Sequence, residues 1–331
     1  MNRILSQVSF VLAIVIASVA WACQVPVFRY ALERWESDAY EVIVLVEGDL
    51  GGADQQRFAK MSRSIDGPAQ PATATANVTA RLVDMSKNTD EAIQQLWKDH
   101  HVGNQPLMVV LYPQTAQSLP NRVADVDVFT DESVARLLDS PIRRALIDKL
   151  LGGDSAVWIF VPCGNEELDA AARSRLEEHV KLSQQQLELP PQDEIIADEF
   201  YDPDNAIELR IGFSILTLDR SDKRERFLLQ SLLASETDLG DLNQPMAFPT
   251  LGRGRVLYAL VGEGIARNTI DLANRFIVGP CSCQIKAQNP GFDLLLQVDW
   301  ESKLRGSKLS PPVPELSNQP IRVTIPPGKK R

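Results

Sequence analysis

The chain has 331 residues, of which 44% are hydrophobic and 24% are charged, and its formal net charge at pH 7 is −10. This composition is typical of a globular protein with a buried core, and the length suggests about two domains. The acidic balance excludes nucleic acid as an expected partner, because binding phosphates requires clustered positive charge.

The first 22 residues have the pattern of a signal peptide. A short positive segment that ends at Arg3 precedes an apolar run over 8–19. Ala20 and Ala22 then supply small residues at the −3 and −1 positions of a cleavage site. We therefore expect cleavage before Cys23 and an exported, periplasmic mature protein.

Two alternatives for this segment also place the body beyond the inner membrane. Residues 4–22 could stay uncleaved as an anchor, because their number is close to the roughly 20 needed to span a bilayer. Alternatively, Cys23 carries a lipid, although Ala20 and Trp21 depart from the usual lipoprotein signal. Either alternative would tether the protein to the outer side of the inner membrane.

The mature chain alternates predicted strands and helices in two lobes. The first lobe, over 23–188, has predicted helices over 26–35, 53–62, 90–100, 131–138, 141–151 and 166–186, and strands over 40–46, 72–83, 107–112, 123–129 and 156–161. The second lobe, over 206–302, has predicted strands over 207–218, 255–261 and 293–298, and helices over 222–235 and 265–276. An acidic, proline-containing linker over 189–205 separates the lobes, and a flexible proline-rich tail occupies 303–331.

This alternation predicts an α/β protein with parallel or mixed sheets. A faint internal similarity supports two related lobes, since a strand, a glycine turn and an Ala/Leu-rich helix follow one another both from 157 and from 256. A thioredoxin-like arrangement of each lobe is the finer hypothesis, which would not by itself establish a function.

Cysteines are the sharpest local feature. Cys281 and Cys283 are separated by one serine and follow a helix-breaking Gly-Pro pair, and Cys23 and Cys163 complete the set. A structural disulfide that joins one of the pair to Cys23 or Cys163 is one interpretation. A redox-active pair, a soft-metal site and inert thiols are the others. The Cys-x-x-Cys spacing of ordinary thioredoxins is absent.

Arg253 and Arg255 alternate with glycines before a predicted strand. Two guanidinium groups so placed could hold a carboxylate or a phosphate by paired hydrogen bonds, and a tight turn with exposed charges is the alternative. The acidic stretch over 198–205 lacks the order of a calcium loop, and residues 262–264 lack the third glycine of a dinucleotide fingerprint. With no recognised catalytic motif, we expect no cofactor or metal and favour a protein that is not an enzyme.

Two sequence blocks carry a family resemblance. One is Cys-Gln-Val-Pro-Val-Phe-Arg-Tyr-Ala-Leu-Glu-Arg-Trp over 23–35, and the other is Gly-Pro-Cys-Ser-Cys over 279–283 with Asn-Pro-Gly-Phe-Asp-Leu-Leu over 289–295. Together they resemble a group of exported bacterial proteins of uncharacterised function. The resemblance implies export and a shared fold over most of the mature chain, and it transfers no functional residue.

Three hypotheses for function follow. The first is a non-enzymatic binding or assembly component of the cell envelope, whose partner is an envelope protein or a small ligand. The second is a thiol–disulfide protein that uses Cys281 and Cys283. The third is a small-anion binder that uses Arg253 and Arg255.

Overall fold

The computed structural model describes residues 25–66, 76–116, 119–191, 200–204, 206–281 and 285–309. The helices are α1 Val27–Arg34, α2 Gly52–Asp66, α3 Glu91–His100, α4 Asp131–Leu138, α5 Pro141–Leu151, α6 Glu166–Gln186, α7 Arg226–Leu233, α8 Arg267–Val278 and α9 Trp300–Lys303. The strands are β1 Tyr40–Val46, β2 Val78–Asp84, β3 Leu107–Leu111, β4 Val123–Val128, β5 Ala156–Val161, β6 Phe213–Thr217, β7 Met246–Leu251, β8 Arg255–Val256, β9 Leu260–Val261 and β10 Phe292–Asp293. The predicted α/β class is confirmed.

The strands form two mixed sheets. The first sheet has the order β2-β1-β3-β4, in which β1 and β2 are parallel and the other neighbours are antiparallel. The second has the order β6-β5-β7-β8-β10, with β9 also paired to β7, and there β5 and β6 are the parallel pair. Because β5 precedes the predicted linker over 189–205 and its neighbours follow it, the sheets do not coincide with the predicted lobes. The division into domains therefore stays a prediction.

The two sheets repeat one another in register. Leu45 pairs with Leu107 across β1 and β3, and Val161 pairs with Met246 across β5 and β7. An Asn-Gln-Pro tripeptide precedes both β3, over 104–106, and β7, over 243–245. The similarity noted from the sequence matched the segment from 157, which is β5, with the segment from 256. In the repeat, β5 corresponds to β1, whereas the segment from 256 corresponds to β4. That similarity therefore compared elements that are not equivalent.

Equivalent hydrogen bonds support this correspondence. The carbonyl of Pro106 accepts a bond from the N–H of Phe129, and the carbonyl of Pro245 accepts one from the N–H of Gly262, both at 2.8 Å. In each case the donor follows the strand that pairs with the one after the proline. The repeat thus extends beyond strand order to individual backbone contacts.

Two of the helices start where a local side chain satisfies free N–H groups. The Asp90 carboxylate accepts bonds from the N–H groups of Ala92 and Ile93 at the start of α3, and Asn165 accepts one from Leu168 at the start of α6. Both helices therefore begin at or next to the predicted positions.

The apolar core joins the two sheets. One cluster contains Val44 of β1, Val110 of β3, Val157 of β5 and Phe248 of β7, each of which is fully buried. The alternate side chains of β5, such as Trp158, pack instead with residues of α6 and α8. The second sheet is therefore covered on both faces, which explains why β5 is an unbroken apolar run.

Strand β7 is central in the second sheet and was missed by the sequence analysis. Its interior contains Pro249, which has no N–H to donate and normally argues against a central strand. Here the Pro249 carbonyl accepts a bond from Leu257 N–H at 3.1 Å, in the gap between β8 and β9. The side of Pro249 that lacks an N–H group therefore faces the gap between β8 and β9, where the neighbouring strand is interrupted.

Other predicted boundaries also change. The strand predicted over 207–218 is shorter (β6), the one over 255–261 is split into β8 and β9, and the one over 293–298 keeps only Asp293 in β10. Residues 72–75 of another predicted strand lie outside the described residues. The described residues continue to 309, and Leu304 and Ser307 at the start of the predicted tail are buried. The rest of the predicted tail, over 310–331, lies outside the described residues.

Candidate functional site

The described cysteines lie in different environments. Cys163 is partly exposed between the end of β5 and the start of α6. Its N–H and that of Gly164 donate to the two carboxylate oxygens of Asp169, at 2.7 and 2.8 Å. A carboxylate therefore already occupies the end of α6 that attracts anions.

Cys281 is 2% exposed and belongs to an apolar cluster with residues of α1. Its N–H donates to the carbonyl of Val25 at 3.0 Å, and Pro26 and Pro280 form an antiparallel bridge. The first cysteine of the Cys-Ser-Cys motif therefore packs against Val25 and the start of α1. Cys23 and Cys283 lie outside the described residues, so the disulfide stays a prediction.

This difference in burial predicts different reactivities. In purified protein kept reduced, Cys163 is expected to react with iodoacetamide in the native state, whereas Cys281 reacts only as fast as its surroundings unfold. Peptide mass spectrometry over a time course, with and without urea, measures both rates. Equal native rates at the two cysteines would contradict the burial of Cys281.

Arg255 is 6% exposed, and each nitrogen of its guanidinium group donates a hydrogen bond within the protein. Nη1 donates to Asp293 at 3.1 Å, Nε to the carbonyl of Pro290 at 2.9 Å and Nη2 to the carbonyl of Asn289 at 2.8 Å. The group also lies over the ring of Trp35. An anion would have to displace these partners, so Arg255 has a structural role in this geometry.

Arg253 is 7% exposed and lies in the turn between β7 and β8. The glycines on either side have positive φ, and an added Cβ would approach Ala31 Cβ to 2.7 Å at Gly252 and Leu296 Cδ1 to 2.5 Å at Gly254. Only glycine lets the turn fit between α1 and the 294–296 segment. The turn thereby places Arg253 beside the C-terminal end of α1.

Two of the three Arg253 nitrogens have protein partners. Nε donates to the carbonyl of Leu32 at 2.8 Å, and Nη2 donates to the carbonyl of Glu33 at 3.1 Å and to Glu301 Oε1 at 2.7 Å. These carbonyls end α1, where a positive charge is favourable. Nη1 has no hydrogen-bond partner among the described residues.

A cavity of about 250 Å³ adjoins this guanidinium group. Ser37 is one of the lining residues, but its hydroxyl oxygen is buried away from the cavity, and no described residue donates to it or accepts from it. The cavity is open to the surface and has both polar and apolar walls. It is lined by Glu36, Ser37, Ala76, Asn77, Arg253, Leu296, Val298, Asp299, Trp300 and Glu301.

The charges around the cavity are mostly negative. Burial raises the pKa of Glu301, but hydrogen bonds from Lys308 and Arg253 outweigh this effect and hold the pKa below its ordinary value. Lys308 Nζ and Glu301 Oε2 are 2.7 Å apart. Glu301 is therefore ionised near neutral pH, and its charge partly compensates that of Arg253.

Among these lining residues, Arg253 alone could be identified from the sequence. Ser37 and Trp300 lie far apart in the chain and belong to no recognisable motif, so only the fold brings them together. A larger cavity of about 410 Å³ lies on the other side of Glu301 and is lined by Phe200, Leu304, Arg305, Gly306 and Lys308. No buried polar group without a partner is found among its described lining residues.

The remaining sequence features form no site among the described residues. The N–H of Asp202 donates to the carbonyl of Gly306, while 198, 199 and 205 of the acidic stretch are not described. Residues 262–264 form a 3₁₀ turn in which the Glu263 side chain is exposed. Over the described ranges, no group of three or more His, Cys, Asp or Glu side chains is arranged to hold a metal ion.

No protein-family model matches the chain, and no curated protein sequence matches it significantly. The resemblance to exported bacterial proteins therefore stays an expectation. Within the part of the chain that the structure describes, no helix combines the length and the apolar character needed to cross a bilayer.

Proposed function

We propose that the protein is an exported, non-enzymatic binding component of the bacterial cell envelope that takes a small polar ligand beside Arg253. One observation carries this proposal: Arg253 lines an open cavity, and its Nη1 has no hydrogen-bond partner among the described residues. A guanidinium group in the wall of a cavity with a donor left over can hold an acceptor group of a small ligand.

Export is supported by the signal pattern over 1–22. Val25 is 2% exposed, so cleavage before Cys23 would leave every described residue in place. If Cys23 carries a lipid, only Gln24 separates it from buried Val25. A lipidated protein would then be held close to the membrane surface.

Thermal unfolding of the purified mature chain tests the binding function. A panel of sugars, phosphates, carboxylates, amines and amino acids is added singly, and at least one class is expected to raise the Tm. A ligand at 100 times its Kd stabilises the folded state by about 2.7 kcal/mol. That stabilisation corresponds to a rise of several degrees for a chain of this size. No shift with any class, or chemical turnover of the ligand that binds, would contradict the proposal.

A thiol–disulfide function is the second candidate, and the observation that favours it concerns Cys163. We propose a thioredoxin-like arrangement for each repeat, because in each a parallel strand pair is followed by antiparallel strands and a helix. Cys163 then lies between the first strand and the first helix of the second repeat. Glu166 stands at the second position of a Cys-x-x-Cys pair, so a partner thiol would have to come from elsewhere.

A further inference from the structure

We infer that the outer edge of β2 is an interaction surface whose occupant is the segment over 321–325 of the same chain, added to the first sheet as a further strand. This segment lies outside the described residues. Four observations support the assignment: the state of the edge, the sequence of the segment, the place where the described chain ends, and the charges beyond the end of β2.

Strand β2 has backbone groups on its outer side that no described residue uses. It is the last strand of its sheet and pairs with β1 alone. Met85, which directly follows β2, donates its N–H to the carbonyl of Val46 in β1 at 2.7 Å. Successive residues of a strand turn their peptide groups to opposite sides, so those of Ala80 and Leu82 face away from β1. An added strand requires such a row of groups.

This edge also lacks the features that normally prevent strand pairing. Its seven residues contain no proline and no glycine, their register with β1 is unbroken, and Leu82 is 43% exposed. The other edges are less accessible. On β4, Arg226 donates to the carbonyl of Val126 at 3.2 Å. On β6, only Thr217 is exposed, and Arg173 donates to its hydroxyl. Among these three edges, β2 is therefore the most open.

The segment over 321–325 has the sequence pattern of a strand. It reads Ile-Arg-Val-Thr-Ile, in which four of the five residues are β-branched and apolar residues alternate with polar ones. Prolines at 320 and 326 bound it, and the residue before a proline favours an extended backbone. Five residues fit within the seven of β2, and the apolar face of the segment can cover Leu82.

The described chain ends close to the start of β2. Lys308 Nζ lies 2.7 Å from Glu301 Oε2, and Glu301 lines the same cavity of about 250 Å³ as Asn77, which directly precedes β2. Residues 310–320 connect this point to the segment. A proline-rich stretch of that length spans about 34 Å at about 3.1 Å per residue. The segment can therefore reach β2 and run parallel to it, away from Asn77.

Charge supports the parallel direction. Residues 310–331 carry a net charge of +3, which leaves −13 on the rest of a chain whose total is −10, and the last three residues are all basic. In the parallel arrangement these three lie beyond the end of β2, next to Glu47 and Asp49. Gly48 N–H fixes that turn by a 2.9 Å bond to the last side chain of β2. Lys87 is bound to the same carboxylate and leaves Glu47 and Asp49 in excess.

Amide hydrogen exchange tests the inference in the whole chain. The two outward amides of β2 are followed by NMR in the parent and in Val323→Gly with Ile325→Gly, which keeps the tail but removes two β-branched side chains. Both amides are expected to exchange at least about tenfold faster in this variant, because they lose their hydrogen-bond partners. Val313→Gly with Leu316→Gly changes the same tail outside the segment. It is the matched control and should exchange as the parent does.

The other outcomes decide between occupants and directions. Equal exchange in the parent and in Val323→Gly with Ile325→Gly would overturn the inference, and a change at β6 instead of β2 would overturn the assigned edge. Protection that increases with protein concentration would place the segment on a second copy and overturn its assignment to the same chain. Lys329→Glu with Lys330→Glu is expected to speed exchange about threefold, the size of effect that exposed ion pairs give. Unchanged exchange in that variant would overturn the parallel direction.

Discussion

Replacing Glu33 by alanine is expected to lower the free energy of unfolding by about 3–5 kcal/mol, because it leaves a buried charge without its counter-ion. The Glu33 side chain is fully buried, accepts a bond from Arg29 Nε, and accepts another from the N–H of Leu309 at 2.9 Å. Arg29, which is 1% exposed in the parent chain, would keep the carbonyls of Ile207 and Ser307 as its described partners. Urea unfolding followed by circular dichroism measures the change.

The chain contains a matched control for this variant. Arg173 and Glu177 of α6 form an ion pair with the same i, i+4 spacing, but the two side chains are 42% and 52% exposed. Glu177→Ala should cost less than about 1 kcal/mol, since exposed pairs are solvated and screened. Similar losses in Glu33→Ala and Glu177→Ala would show that burial does not set the contribution of the Arg29–Glu33 pair.

Gly291→Ala is expected to destabilise the protein by on the order of 4 kcal/mol, from backbone strain and overpacking together. Gly291 has a φ of 100°, and an added Cβ would lie 2.0 Å from the backbone carbonyl oxygen of Val256. Because that oxygen belongs to β8, relief requires the strand to move rather than a side chain. The loss is measured by urea unfolding, and a variant too unstable to purify gives the same result.

Gly48→Ala separates the two contributions. Gly48 has a φ of 76° and no atom within 4 Å of an added Cβ, so it tests the conformational cost alone. That cost should be about 1–2 kcal/mol. If Gly291→Ala were no more damaging than Gly48→Ala, the close approach between Gly291 and β8 would be wrong.

An element of the fold could be predicted where its local sequence pattern matches the structure that it adopts in the folded protein. Helix α6 has a side-chain cap at its start, and β5 is a continuous apolar run, so both were located to within a residue or two. Strand β7 contains Pro249 and ends at the Gly-Arg-Gly turn, which are signals for a break in the chain. Its place in the sheet depends on β8 and β9 leaving a gap, which no local pattern reveals.

The site, like the fold, could be predicted from the sequence only in part. Arg253 and Arg255 were identified together because glycines flank them, yet among the described residues Arg253 has a nitrogen without a partner and Arg255 has none. The difference comes from distant residues: Asn289, Pro290 and Asp293 complete the contacts of Arg255, whereas Arg253 meets the end of α1 and Glu301. Ser37 carries no signal at all, since an isolated serine in a loop is common.

The contact between Arg29 and Ser307 has a consequence for how the chain matures. These residues are 278 positions apart, so the first described helix obtains one of its partners from the last described segment. A chain that emerges N-terminus first from a ribosome or a translocation channel must hold α1 without this partner until residue 307 is free. Contacts at such long range close slowly. The contact between the two ends of the described body can therefore form only after residue 307 has emerged.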